Sequence, residues 1–220
     1  MHKREVFEKH VEIFKNYLKS AENLKVDQHF FTFDDGGISN LKSAEILENH
    51  HLKGMYFITT NRIGTRGFLS EKDILKLHES GHRIGSHSHT HPMIFRSLSA
   101  EDMAKEWRIS KDILENILGK EIVHCSVPGG DSDLKTYESA AEAGFRYVFD
   151  SEPIIEPRFA NEAEIFGRFS IKAQMTDEEF LNLLELNNLA VLQRNRKIKS
   201  AIKKLIFPVH QYIQNKKNES

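Results

Sequence analysis

The fold of this chain is constrained most by the alternation of short apolar runs with helical patterns between residues 30 and 171. Apolar runs predict strands at 30–33, 54–59, 83–86, 122–127 and 146–149, and amphipathic spacing predicts helices at 39–50, 70–80, 99–118 and 132–143. Ser70 and Ser99 each precede an acidic first turn, and Gly81, Gly119 and Gly144 each follow a predicted helix. This order implies parallel strands joined by helical crossovers, and it fits both a barrel and an open doubly wound sheet.

The length and charge of the chain limit its organisation and its partners. A chain of 220 residues fits one domain with helical appendages, and we expect a core at about 28–172. An amphipathic pattern predicts an additional N-terminal helix over 4–24. The formal net charge of −1 gives no general attraction to nucleic acid, so we expect no nucleic-acid partner.

A basic helical tail is predicted over about 177–217, and its last part, from residue 193, contains no acidic residue. Docking of its apolar stripe on the core is the favoured interpretation, and weak contact with an anionic membrane surface is the alternative. The charged N-terminus leaves no apolar signal-peptide core, and the single cysteine, Cys125, forms no internal disulfide. We therefore expect a cytoplasmic protein, peripheral to the membrane if the tail binds lipid.

Two adjacent carboxylates, Asp34 and Asp35, end the first predicted strand and are followed by Gly36 and Gly37. Parallel folds keep their functional sites at such strand ends. Adjacent strand residues point to opposite faces, so both aspartates serve one centre only if the backbone turns there, as the glycines permit. A solvated Asp-Gly corner is the alternative.

Three histidines, His87, His89 and His91, follow the third predicted strand within five residues. A spacing of four brings the His87 and His91 rings to one side of a turn, where neutral imidazole is a good zinc ligand. His89 is expected to point elsewhere. The alternative for the cluster is a polar surface loop.

Together, two imidazoles and one carboxylate would form a metal site with positions left for water and substrate. A divalent cation there lowers the pKa of its water and polarises a carbonyl, while the second carboxylate accepts the proton. Zinc suits these ligands best, and cobalt, nickel or iron also fit them.

The run Thr32-Phe-Asp-Asp-Gly36, followed by His87-Ser-His-Thr-His91, resembles the polysaccharide deacetylases. These metal-dependent enzymes form the NodB-like family, or carbohydrate esterase family four, and act on substrates such as chitin and peptidoglycan. The resemblance covers about residues 30–153 and indicates a divergent intracellular member.

This resemblance implies a fold and a set of residue roles. The family fold is an incomplete or distorted (β/α) barrel of about seven strands, which decides between the alternatives left open by the periodicity. By resemblance, Asp34 is the catalytic base, and Asp35, His87 and His91 hold the metal. The implied substrate is an N-acetylated saccharide, either a polysaccharide, an oligosaccharide or a lipid- or nucleotide-linked precursor, and water on the metal is the implied nucleophile.

A third element, Ser126-Val-Pro128-Gly129-Gly130, matches the family's Arg-x-Pro-aromatic motif only in part, because Ser126 stands in the arginine position. By resemblance, the Gly129 backbone N–H stabilises the oxyanion, and Pro128 and Gly130 contact substrate. A plain Pro-Gly turn is an equal alternative. Ser126 cannot orient Asp34 as a guanidinium would.

Two later family features are also missing, the Asp-Trp element and the Leu-x-x-His that supplies the general acid. Three alternatives for the general acid therefore stay open: His124, an incoming residue, or the base itself once it is protonated. His210 is a weaker candidate. These absences motivate a rival function, a saccharide-binding relative without catalysis. A hydrolase of another non-peptide C–N amide bond is the third possibility.

Overall fold

A computed structural model describes residues 4–20, 31–156 and 158–198. Its strands are β1 Phe31–Phe33, β2 Gly54–Ile58, β3 Arg83–Ser86, β4 His124–Ser126, β5 Tyr147–Phe149, β6 Arg158–Ala160 and β7 Ala163–Phe166. Its helices are α1 Arg4–Ser20, α2 Asn40–Asn49, α3 Glu71–Glu79, α4 Ala100–Leu118, α5 Leu134–Glu142 and α6 Asp177–Leu184, and a further helical segment covers 189–198.

The strands form one curled sheet in the order β1-β2-β3-β4-β5-β7-β6. All neighbours are parallel except β6 and β7, which pair antiparallel as a hairpin. β1 and β6 are the two edges of the sheet and are not paired with each other, so the barrel has an open seam. The prediction of an incomplete (β/α) barrel of seven strands is thus confirmed.

Local chemistry explains where several helices begin and end. Ser70 Oγ accepts a hydrogen bond from the Asp73 backbone N–H, while the Asp73 carboxylate accepts one from the Ser70 N–H. Ser99 Oγ caps α4 by accepting a hydrogen bond from the Asp102 N–H, and Gly119 ends that helix with a left-handed φ of 65°. These caps hold the helix starts and ends within one or two residues of the predicted bounds.

Two hydrophobic clusters fill the domain. The larger lies between the sheet and helices α2 to α5 and includes Trp107, which is fully buried and donates to Ser139 Oγ at 3.1 Å. The smaller lies where α1 and α6 cover the β1 edge, with the rings of Phe7 and Phe14 meeting Phe31 edge-on at 5.7 and 5.0 Å. The N-terminal helix therefore packs on the domain, and its predicted continuation to 24 lies outside the described residues.

The first part of the basic tail also packs against the domain. In the segment 189–198, Gln193 Nε2 donates to the Pro153 carbonyl at 3.1 Å, and Arg196 Nε lies 2.8 Å from Glu152 Oε1. Residues 199–217 lie outside the described residues. Over the part of the chain that is described, no helix is both long and apolar enough to cross a membrane. The single-domain organisation stays a prediction.

Candidate active site

The predicted site residues come together at the carboxyl end of the sheet, on the segments that follow β1, β3 and β4. The register pairs Phe33 with Tyr56 and Ile58 with Ser86. Asp34 and His87 therefore both follow the carboxyl ends of their strands, β1 and β3, which are separated by β2. Short strands therefore deliver side chains from distant parts of the sequence to one place.

The backbone turns sharply at the two aspartates. Asp35 has a φ of 72° and Gly36 a φ of 77°, both in the left-handed region. A Cβ at Gly36 would also lie 3.3 Å from the Ile58 side chain, so a side chain there is disfavoured by both conformation and space. The turn lets both carboxylates face one centre, as the motif requires, and it begins on Asp35 itself.

His87 is buried and held in one tautomer. Its Nδ1 lies 2.9 Å from the Ser126 carbonyl oxygen, which can only accept, so Nδ1 carries the proton and Nε2 keeps a free lone pair. Burial lowers the pKa of His87 and outweighs the opposing effect of the Asp34 carboxylate, and the positive charge of Arg168 also lowers it. His87 is therefore a neutral imidazole with its Nε2 lone pair available to a cation.

The loop that carries the histidines is strained and is held from α4. Ser88 and His91 have φ values of 61° and 59°. Glu106 accepts hydrogen bonds from the backbone N–H groups of residues 89 and 90, at 2.9 and 2.8 Å, and from the Thr90 hydroxyl at 2.6 Å. The His89 ring turns away to Thr60 Oγ1, at 2.9 Å, as expected for that residue.

The structure brings Asp35, His87 and His91 into one group, with one ligand atom from each lying within 4.8 Å of the others. Asp35 Oδ1 is 3.8 Å from His87 Nε2 and 3.3 Å from His91 Nε2. That oxygen is covered by protein and has no hydrogen-bond partner. A carboxylate oxygen and an imidazole lone pair that face each other across such a gap repel, so the donor set fits a divalent cation.

Asp34 is bound by an arginine that no motif in the sequence indicates. Arg168, which follows β7, donates from Nη1 to Asp34 Oδ1 at 2.8 Å and from Nη2 to Asp34 Oδ2 at 2.9 Å. Its Nη2 also lies 2.7 Å from Ser126 Oγ. Ser126 does not replace the arginine of the family motif, and the guanidinium that orients Asp34 comes instead from another strand end.

Arg168 also spans the open seam of the barrel. Its Nη1 reaches Thr32 Oγ1 in β1 at 3.2 Å, and its Nε donates to the Asp150 carbonyl beyond β5 at 2.9 Å. It thereby ties β1 to the far side of the sheet where no strand pairing does so. No motif surrounds Arg168 in the sequence, and a lone arginine after a strand carries no signal of this role.

The charge of Asp34 is set by these neighbours. Burial raises the pKa of the Asp34 carboxyl, but the positive charge of Arg168 and the hydrogen bonds of Arg168 and Ser126 lower it well below its usual value. Asp34 is thus held ionised. Its Oδ2 lies 4.0 Å from His87 Nε2, at the edge of the group formed by Asp35 and the two histidines.

The Pro-Gly-Gly turn lies beside the histidine loop. A Cβ on Gly129, which has a φ of 65°, would lie 3.0 Å from the Met93 carbonyl oxygen. Gly129 is exposed, whereas Pro128 and Gly130 are buried, and the Gly130 carbonyl accepts a hydrogen bond from Arg196. The oxyanion role of Gly129 and the substrate contacts of Pro128 and Gly130 stay predictions.

Among the described residues, the histidine candidate for the general acid, His124, lies at the opposite end of β4 from this group. His124 is at the start of β4, where its ring stacks on Tyr147 with 4.9 Å between centroids, and His210 lies outside the described residues. Asp150, from the region of the missing Asp-Trp element, is buried and paired with Tyr137 and Arg158 at 2.5 and 3.0 Å. Its side chain therefore supports the sheet.

Residues 21–148 match the family model described as polysaccharide deacetylase. The Bacillus subtilis (strain 168) protein YxkH is 26% identical over 123 residues, which are 56% of this chain and 44% of YxkH. A Geobacillus stearothermophilus protein of 30.6 kDa is 25% identical over 58% of this chain and 47% of its own length. The chain thus matches less than half the length of these curated relatives.

Solved structures share the fold. The Streptococcus pyogenes deacetylase PplD in complex with acetate is 20% identical and superposes with a TM-score of 0.68, over 83% of this chain and 87% of its own. A polysaccharide deacetylase from Bacillus cereus is 21% identical, with a TM-score of 0.71 over 83% of this chain and 62% of its own. At these identities the likeness establishes the architecture.

Proposed function

Because the chain belongs to the polysaccharide deacetylase family, we propose that it hydrolyses the acetamide of an N-acetylated sugar, releasing acetate and a free amine. The substrate class comprises polysaccharides, oligosaccharides and lipid- or nucleotide-linked precursors. The proposal takes Asp35, His87 and His91 as the metal ligands and Asp34 as the base.

One observation carries this proposal: three candidate ligand atoms meet beside a carboxylate that is held ionised and is not one of them. The ligand atoms lie within 4.8 Å of each other, and Asp34 is held apart by two hydrogen bonds from Arg168. A metal hydrolase needs both parts, a cation site with vacant positions and a separate proton acceptor.

A divalent cation in this site would polarise the acetamide carbonyl and make water nucleophilic at neutral pH. Zinc is the best match to two imidazoles and one carboxylate, and cobalt, nickel or iron also fit. On the protein side, Asp34 takes the proton from the attacking water, and the Gly129 N–H is proposed to donate to the oxyanion. The Ser126 carbonyl keeps His87 in the tautomer that presents Nε2.

The rival function, saccharide binding without catalysis, is weakened by the presence of Arg168 at Asp34. The absence of the family's late histidine still motivates it. A cytoplasmic location, with weak membrane contact through the basic tail, stays a proposal, since most of that tail lies outside the described residues.

The test is acetate release from a panel of chitooligosaccharides and N-acetylglucosamine-containing precursors, with and without a chelator, joined to metal analysis of each variant. Asp34→Asn should abolish turnover while metal stays bound. Alanine at Asp35, His87 or His91 should remove the metal. His78→Ala, at the end of α3 away from the site, is the matched histidine control and should keep both metal and activity.

Two results would overturn the assignment. If all three alanine variants retained the metal, Asp35, His87 and His91 would not be its ligands. Wild-type protein that binds metal and saccharide but releases no acetate from any member of the panel would favour the binding protein instead.

A further inference from the structure

Asp34 and Asp35 are neighbours in the chain, yet the proposed function gives them different tasks. Asp34 Oδ2 is 4.0 Å from His87 Nε2, and Asp35 Oδ1 is 3.8 Å from the same atom. Distance to this ligand atom therefore does not separate the two carboxylates. Something else must decide which one binds the cation and which one stays free.

The difference lies in their partners. Both oxygens of Asp34 accept hydrogen bonds from the two terminal nitrogens of Arg168, at 2.8 and 2.9 Å. Such a bidentate pair fixes the plane of the carboxylate as well as its position. Asp35 Oδ1 has no hydrogen-bond partner, and the Arg62 guanidinium is 3.8 Å away from it. The lone pairs of Asp34 are thus engaged by arginine while those of Asp35 face the histidines.

The position of Ser126 shows how Arg168 comes to fit there. Ser126 occupies the arginine position of the family motif, and its hydroxyl oxygen lies 2.7 Å from Arg168 Nη2. Ser126 is fully buried, so a long side chain at this position would compete with the incoming guanidinium for the same space. The small residue in β4 and the arginine after β7 are therefore complementary.

We propose that Arg168 is the positioning residue of this site: it takes the place of the family's missing arginine and keeps Asp34 off the cation, so that Asp34 remains a base. This inference rests on the proposed function for its kinetic consequence. Its structural consequence, which of the two aspartates binds the metal, can be measured without any substrate.

The first experiment uses Co²⁺ alone as the probe, because the visible absorption of Co²⁺ reports its coordination number and ligands. Arg168→Ala frees the Asp34 carboxylate to join the cation, so its Co²⁺ spectrum should differ from that of wild type. The double variant Arg168→Ala/Asp34→Asn should return towards the spectrum of Asp34→Asn alone. An Arg168→Ala spectrum identical to that of wild type would overturn the inference.

The second experiment measures turnover and asks whether the arginine can be moved. Arg168→Ala should lower kcat by about 100-fold with KM within about threefold, because the loss falls on proton transfer. Arg168→Lys keeps the positive charge but cannot make the bidentate pair with Asp34, so its kcat should lie between those of wild type and the alanine variant. Ser126→Arg/Arg168→Ala, which returns an arginine to the family position, should recover at least about tenfold of the lost kcat.

Arg158→Ala is the matched control, since it removes another half-buried arginine–aspartate pair, 3.0 Å from Asp150, without contacting Asp34. It should lower the melting temperature and leave kcat within about threefold of wild type. An equal loss of kcat in this control, or wild-type kcat in Arg168→Ala, would contradict the positioning role. If wild type releases no acetate, the proposed function fails, while the Co²⁺ spectra still decide the role of Arg168.

Discussion

Replacing Glu106 with alanine should weaken metal binding by about 10-fold to 100-fold, although Glu106 is not itself expected to touch the metal. Glu106 accepts three hydrogen bonds from the histidine loop, two from the backbone N–H groups of residues 89 and 90 and one from the Thr90 hydroxyl. That loop holds two non-glycine residues, Ser88 and His91, in left-handed backbone conformations. Without the carboxylate, the loop can relax and move His91 away from Asp35.

The magnitude follows from the number of bonds and their exposure. A hydrogen bond to an ionised group contributes about 1.5–3 kcal/mol. The summed free energy of three such bonds would exceed the expected loss of metal-binding free energy. Thr90 is exposed, however, so water can replace the hydrogen bonds that its N–H and hydroxyl groups lose. A net loss of about 1.4–2.8 kcal/mol in metal binding corresponds to the stated range, at 1.4 kcal/mol for each factor of ten.

The assay is competition for Zn²⁺ between the protein and a chromophoric chelator. Asp112→Ala, which removes an exposed carboxylate from the same helix, is the control for the lost charge. Glu106→Gln should weaken binding less than alanine, because its amide oxygen still accepts from the loop. The role of Glu106 in holding the histidine loop would be refuted if Glu106→Ala bound Zn²⁺ with wild-type affinity, or if Asp112→Ala lost as much affinity.

Two further predictions concern stability. His82 Nδ1 accepts a hydrogen bond from the Gly54 N–H at 3.0 Å, and burial lowers the pKa of His82. Below pH 6.5, histidine in the unfolded chain therefore binds a proton more readily than His82 does in the folded protein. The free energy of unfolding should therefore fall with acid below that pH, and less so in His82→Gln, as urea titrations on both sides of it would reveal. Gly85→Ala should cost about 1–3 kcal/mol in the same measurement, because overpacking strains a core and its Cβ would lie 2.7 Å from the Phe57 ring; an unchanged midpoint would contradict this.

The sequence predicts the helices and the first five strands to within a few residues, because their signals are local. Ser70 and Ser99 cap helices through residues three positions away, and the strands alternate with helices in a way that fits only parallel pairing. The β6–β7 hairpin was not assigned from the sequence. No helix lies between its two strands, so the hairpin lacks the alternation of strand and helix that indicates the first five strands.

The site divides in the same way. Asp34, Asp35, His87 and His91 form two compact motifs whose spacing is visible in the chain, so these residues can be chosen from the amino-acid sequence alone. The turn at Asp35 is predicted because adjacent strand residues cannot otherwise face one centre, and its φ of 72° bears this out.

Arg168 could not be chosen in this way. It lies 134 residues from Asp34 and 42 from Ser126, in no motif, and its place is set by the curl of the sheet that brings the end of β7 opposite β1. Glu106 likewise reaches the histidine loop only because α4 packs beside β3. Spacing along the chain determines which side chains share one turn or one strand end, whereas contacts between distant segments depend on how the whole sheet closes.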